Sequence, residues 1–167
     1  MKNSTYSLAI FGVICLAFFT GCKDPSPVFH GTIGSGNVLM LERALEGFNS
    51  IRAKGMIGVN IIPGKNFRVI VITDCNLQDG VLTTVNDDTL YINDMLGSFS
   101  ATALMVNVYM PELVDITASG MGSIQITNGN APELNLSLSG MRSIDAQNFQ
   151  VQNVTINFSG MGTVAPL

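Results

Sequence analysis

Tryptophan is absent from these 167 residues, histidine occurs once, and charged residues make up only 12% of the chain. Each scarcity narrows the range of functions. The single imidazole, His30, lies in a proline- and glycine-rich stretch. It has no companion for a serine–histidine–acid triad and no Cys/His spacing for a metal site. Lys and Arg number eight, with no basic stripe, which argues against nucleic acid as a partner. Long apolar runs are also missing. The one candidate, Leu8 to Phe19, is short for a membrane span. Formal charge is −4 and becomes more negative once Lys2 is lost with the N-terminal segment.

The N-terminus has a clear organisation. Lys2 precedes the apolar stretch, and Thr20-Gly21-Cys22 follows it. A basic start, a short apolar core and small residues before a cleavage point read as a secretory signal. A cysteine at that position resembles a bacterial lipobox, with Phe19 standing where an aliphatic residue is usual. That resemblance implies cleavage before Cys22, a lipid such as palmitate with attachment at the Cys22 sulfur, and anchoring in the outer membrane of the cell envelope. A plain secretory signal with an incidental cysteine is the alternative. If Cys22 carries lipid and Cys15 is removed with the signal, Cys75 is left as the one thiol and no intrachain disulfide is expected.

The most informative feature lies further on. Ser119-Gly120-Met121, Ser139-Gly140-Met141 and Ser159-Gly160-Met161 recur every 20 residues. Each is preceded by alternating apolar and polar residues: 114–118, 134–138 and 154–158. Period-two alternation describes strands with one apolar face. Ile124, Ile144 and Val164 continue the pattern beyond the turn, and Asn128 and Asn148 mark a second bend. A unit this small cannot bury its own apolar face, so units must stack. The reading is all-β: a single-domain parallel β-helix, a solenoid of about 20-residue rungs. Val114, Leu134 and Val154 would form an inward column. A meander of antiparallel hairpins is the alternative, and Asn128-Gly129 is a dipeptide that favours hairpins.

The chain then divides into a signal (1–21), a lipid-anchored tether (22–35) and a β-domain (36–167), with rungs over 96–167. Strands without the repeat are expected at Ile57–Ile62, Phe67–Ile72, Val81–Val85 and Leu90–Ile92. Pro63-Gly64 and Asp79-Gly80 are the turns between them.

Several ordered stretches carry a family resemblance. They are Gly34-Ser35-Gly36-Asn37-Val38, Arg43 with Phe48-Asn49-Ser50-Ile51, Gly58-Val59-Asn60-Ile61-Ile62 with Phe67-Arg68-Val69, and Met110-Pro111-Glu112-Leu113 before the Ser-Gly-x-x-Ser-Ile units. Together they resemble the head GIN domain family (DUF2807) of autotransporter-adhesin type. The resemblance implies a secreted or lipid-anchored envelope protein with a β-helical body, and carries no catalytic or binding signature.

The functional expectation is a non-enzymatic envelope lipoprotein, an adhesin-like module recognising glycans or a surface protein. A scaffold facing the periplasm is the alternative, and homo-oligomers through the edge of the C-terminal rung are expected to serve it. A β-helix enzyme acting on polysaccharides is a third reading. It needs clustered carboxylates. Glu112, Asp115, Glu133 and Asp145 fall at different rung positions, and Asp87-Asp88 with Asp94 reads as a solvated turn. The Met121/Met141/Met161 column reads as corner filling rather than a soft-metal site. The Ser119/Ser139/Ser159 column reads as a hydrogen-bonded ladder. Tyr91, Phe99 and Tyr109 are the candidate sugar-stacking aromatics. No cofactor or metal is expected.

Overall fold

The structure, a computed structural model, describes residues 32–96 and 99–165. The signal segment, Cys22 and His30 lie outside the described residues.

Eleven strands are present among the described residues: β1 (Thr32–Ile33), β2 (Val38–Arg43), β3 (Ser50–Gly55), β4 (Gly58–Pro63), β5 (Arg68–Asp74), β6 (Val81–Asn86), β7 (Thr89–Asp94), β8 (Phe99–Ser100), β9 (Leu104–Met110), β10 (Asp115–Gly160) and β11 (Thr163–Val164). A 3-10 helix, Cys75–Gly80, links β5 to β6. β1 and β8 form a small parallel pair. The other nine strands make one sheet in the order β2-β5-β9-β4-β10-β3-β7-β6, with β11 on β10.

The expected parallel β-helix solenoid is therefore corrected. The fold is all-β, but the sheet is mixed and curls into a nearly closed barrel. Antiparallel pairing of β2 with β5, β5 with β9, and β6 with β7 overturns the expectation. The physical reason lies in the first half of the chain, which has no 20-residue period. Its one tight hairpin makes β6 and β7 run in opposite directions, and β5 runs against both β2 and β9. Asp87 (φ 46°) and Asp88 (φ 57°) form the two-residue turn between β6 and β7. Two consecutive positive φ values match the twist of a hairpin.

Closure depends on β10. Its residues 115–120 pair with β3, while residues 124–126 pair with β4. One strand thus belongs to two walls and bends between them at Gly120 to Gly122. The 20-residue spacing survives as a register between successive passes of β10 and β11. Ser143 lies beside Thr163 and Ile144 beside Val164, and the Asn135 N–H donates to Val114 O at 2.9 Å. Gly120 needs to be glycine: φ is 94°, and a Cβ there would sit 2.5 Å from Gly55 O. Asn128 and Asn148 bend with φ 54° each, a conformation asparagine tolerates.

The core fills the space between the walls. Ile51 and Ala53 of β3, Val59 and Ile61 of β4, Val106 and Val108 of β9, and Ile116 and Leu136 of β10 are all buried. The inward column expected from Val114, Leu134 and Val154 is uneven. Leu134 is buried and Val114 half-buried, whereas Val154 is 44% exposed. The last pass of β10 has one open side, where Ile156 (44%) and Phe158 (40%) are also exposed. No helix of the described residues is long and apolar enough to cross a membrane.

Candidate binding face and the buried arginine

Strand alternation explains the outer surface. On β3, Ile51 and Ala53 point inward, so Arg52 and Lys54 point outward. Tyr91 pairs with Arg52 on one side and with Thr84 on the other. Thr117 pairs with Arg52 on β3's opposite flank. Later passes place Ser137 and Asn157 beyond Thr117. The result is one mostly polar face across β6, β7, β3 and β10, interrupted by the exposed Leu82 of β6. Two shallow depressions lie on it. One of about 330 Å³ is bordered by Thr117, Ser137, Ser139, Asn157 and Ser159, and by the apolar Ala118, Leu138 and Phe158. The other, about 230 Å³, is bordered by Arg52, Lys54, Leu82, Thr84, Tyr91 and Asn93.

The Arg52 guanidinium carbon sits 5.7 Å from the Tyr91 ring centroid, within cation–π range. Arg68 stands over Tyr109 in the same way, at 6.0 Å. Phe99 is in β8, opposite Thr32.

The acidic residues do not converge. Asp115 accepts a hydrogen bond from Thr117 Oγ1, and Asp145 accepts one from Gln147 Nε2. Glu112 and Glu133 are exposed. Asp87-Asp88 and Asp94 sit at opposite ends of β7, so they do not form one patch. Asp94 turns to the corner and accepts the Met56 N–H at 2.5 Å. Among the described residues, no group of three or more His, Cys, Asp or Glu could hold a metal. Met121, Met141 and Met161 are exposed on the corner. Ser139 and Ser159 are exposed beside them, and Ser119 is half-exposed. Cys75 is disulfide-bonded; the thiol expected of it was conditional on lipid at Cys22.

Two buried groups are absent from the candidates named from the sequence. Arg142 is only 1% exposed. Its Nη1 donates to Ile57 O (2.9 Å), and its Nη2 to Gly55 O (2.8 Å) and Ser119 O (3.0 Å). Burial lowers its pKa, and the Asp94 carboxylate opposes that shift. Gly122 leaves the passage open: a Cβ there would lie 3.4 Å from Nη1 and 2.8 Å from Ile57 O.

Asp74 is fully buried. It accepts from the Gly36 N–H (2.7 Å), the Thr102 N–H (2.7 Å) and Thr102 Oγ1 (2.9 Å). Burial pushes its pKa up, and these hydrogen bonds together with one from the Ala103 backbone bring it below the usual carboxylate range. Asn76 adds to this tie, accepting the Ser35 N–H and donating to Ile33 O.

A family model described as "Putative auto-transporter adhesin, head GIN domain" (DUF2807) matches residues 47–165. A solved structure of a putative adhesin from Bacteroides fragilis NCTC 9343 superposes with a TM-score of 0.74 at 18% identity, over 80% of this chain and 64% of that one. A putative lipid binding protein from Parabacteroides distasonis ATCC 8503 gives a TM-score of 0.64 at 19% identity, over 79% of this chain and 69% of that one. At such identities the likeness is one of fold. This chain spans about two thirds of either neighbour's length, and less than two thirds of the first. No curated protein matches it.

Proposed function

The chain belongs to the head GIN domain family, DUF2807, and from that membership we propose that it is a non-enzymatic binding module of the bacterial cell envelope. The observation that carries this reading is the outer face rich in Thr, Ser and Asn side chains, on a sheet whose inner strands are paired on both sides. Such a face is rigid and offers many donors and acceptors. It suits a repetitive, hydroxyl-rich partner such as a glycan, or a surface protein presenting similar groups. The family description as an adhesin supports the same class.

Anchoring by lipid on Cys22, in the outer membrane, is the localisation that fits the N-terminal sequence. Intact mass before and after reduction tests for the thioether, which reduction leaves in place. Cys22→Ala is expected to release the protein from the membrane fraction; continued membrane association counts against the anchor.

The test of the binding reading is protease accessibility on intact cells, with lysed cells as control. Digestion on intact cells is expected. Protection until lysis would remove the surface-module reading and favour a scaffold inside the envelope. A specific observation supports that second reading: Val154, Ile156 and Phe158 form an exposed apolar row on the last pass of β10. A second copy could pair there, as natural edges without charged residues are prone to do.

A further inference from the structure

Six Lys and Arg residues fall within the described chain: Arg43, Arg52, Lys54, Lys65, Arg68 and Arg142. Most have an internal task or a separate place. Arg43 donates to Gln78 O, Arg68 pairs with Glu42 at 2.8 Å, Arg142 is buried, and Lys65 lies in the turn after β4. Arg52 and Lys54 differ. Both are exposed, two positions apart on β3, and neither is in an ion pair with a described carboxylate. Alternation puts them about 7 Å apart on the same face. The depression they border has no acidic residue in its lining. In a chain of net charge −4, this is a local positive site against the overall balance. Asp115, the carboxylate nearest in register, lies diagonally across and is engaged by Thr117.

We propose that this groove binds an acidic glycan, with Arg52 and Lys54 holding carboxylates of successive or nearby sugar units. The inference rests on the binding-module reading above and locates its site. Arg52 offers a planar fork that suits a carboxylate, and Lys54 a compact point charge. Tyr91 holds the Arg52 guanidinium from below, which limits the freedom lost on binding. Thr117, Ser137 and Asn157 continue from Arg52 along the same row, and Ser119, Ser139 and Ser159 from Lys54. A sugar chain laid across the strands meets charge at one end and neutral hydroxyls and amides along the rest. An acidic peptide fits less well. Extended peptides bind chiefly by adding to a sheet edge, and β3, which carries both cations, is already paired on both sides.

The test is titration calorimetry of the full-length protein in detergent with three polymers: polygalacturonate, neutral dextran and polyglutamate. Binding of polygalacturonate is expected, weakening with added salt. The double variant Arg52→Ser/Lys54→Ser should weaken it at least about tenfold, since charge-assisted hydrogen bonds are the strong ones. Both side chains are exposed, so the variant should melt as the wild type does. Lys54→Arg should retain binding. The proposal is overturned if polygalacturonate does not bind, if the double variant binds it unchanged, or if polyglutamate binds equally well. Should the double variant still bind dextran or intact cells while polygalacturonate fails, the site assignment falls and the module reading stands. Wild-type protein that binds none of the polymers or cells, and is protected from protease until lysis, removes both.

Discussion

Replacing Arg142 by methionine keeps a long side chain and removes the guanidinium that ties Gly55, Ile57 and Ser119 together. Two effects oppose each other. Burying a charge costs several kcal/mol, which methionine would relieve. Against that, one buried and two part-buried carbonyls lose donors from a charged group, each worth about 1.5–3 kcal/mol, and Asp94 loses the cation facing it. Breaking a buried charged network by removing one member typically destabilises by about 3–5 kcal/mol. We expect that range here, because apolar methionine leaves all three acceptors without a substitute. For a domain of this size it corresponds to a fall in Tm of about 6–20 °C. The assay is thermal unfolding by far-UV circular dichroism, beside Arg142→Lys as reference. Lysine keeps the charge but not the planar fork, so its Tm should fall between the other two. An Arg142→Met protein that melts within about 2 °C of wild type, or above it, would refute the reasoning. The carbonyls would then be satisfied without the arginine.

Other outcomes follow from the same geometry. Asp74→Asn should lower stability by about 2–3 kcal/mol, because an amide nitrogen replaces an oxygen that accepts an N–H; urea unfolding measures it. The folded pKa of Asp74 lies below its unfolded value. Its contribution is therefore present above about pH 4 and lost as pH falls through the lowered folded value. The variant should show less loss of stability in that acidic window, and an identical acid limb would contradict the assignment. Leu136→Ala should cost about 2–5 kcal/mol, while Ile156→Ala, one pass further along the same inward column, should cost clearly less. Equal costs in chemical denaturation would mean that the last pass is covered in solution. Gly140→Ala, at φ 88° and directly above Gly120 O, should reduce the yield of folded protein; normal yield and Tm would show that the corner can relax.

Much of the local structure is readable from the chain. Alternation and the turns at Pro63-Gly64 and Asp79-Gly80 mark strands close to β4, β5, β6 and β7. Asn128 and Asn148 bend where their spacing indicates. The neighbours of each strand are less accessible, because alternation reports which face is apolar and not what lies alongside. β5 inserts between β2 and β9, and β3 meets β10 across 65 residues of sequence. Nothing local in β3 or β5 encodes those partners. The repeat, taken alone, suggests stacking of like on like, whereas the aperiodic half closes the barrel. Arg142 stands at a repeat position where the other units have Gly122 and Gly162. That exception was the available signal for a buried cation. Arg52 and Lys54 were similarly marked by the alternation Ile51-Arg52-Ala53-Lys54, which is short and has no turn residue to announce it. Tyr91 was recognisable as an aromatic candidate, but the arginine on its ring was not.

The tie at Asp74 has a mechanical consequence. Tension entering the domain from its N-terminal side meets β1, paired with β8, and then the segment 33–37, which is held by Asp74, Asn76 and the Cys75 N–H donating to Asn37 O. Only after that catch gives way does load reach β2, whose six residues are paired along their full length with β5. The carboxylate is thus placed as a strain relief between the incoming chain and the sheet. A pulling trace should show an early, small rupture that Asp74→Asn abolishes, ahead of the main unfolding event.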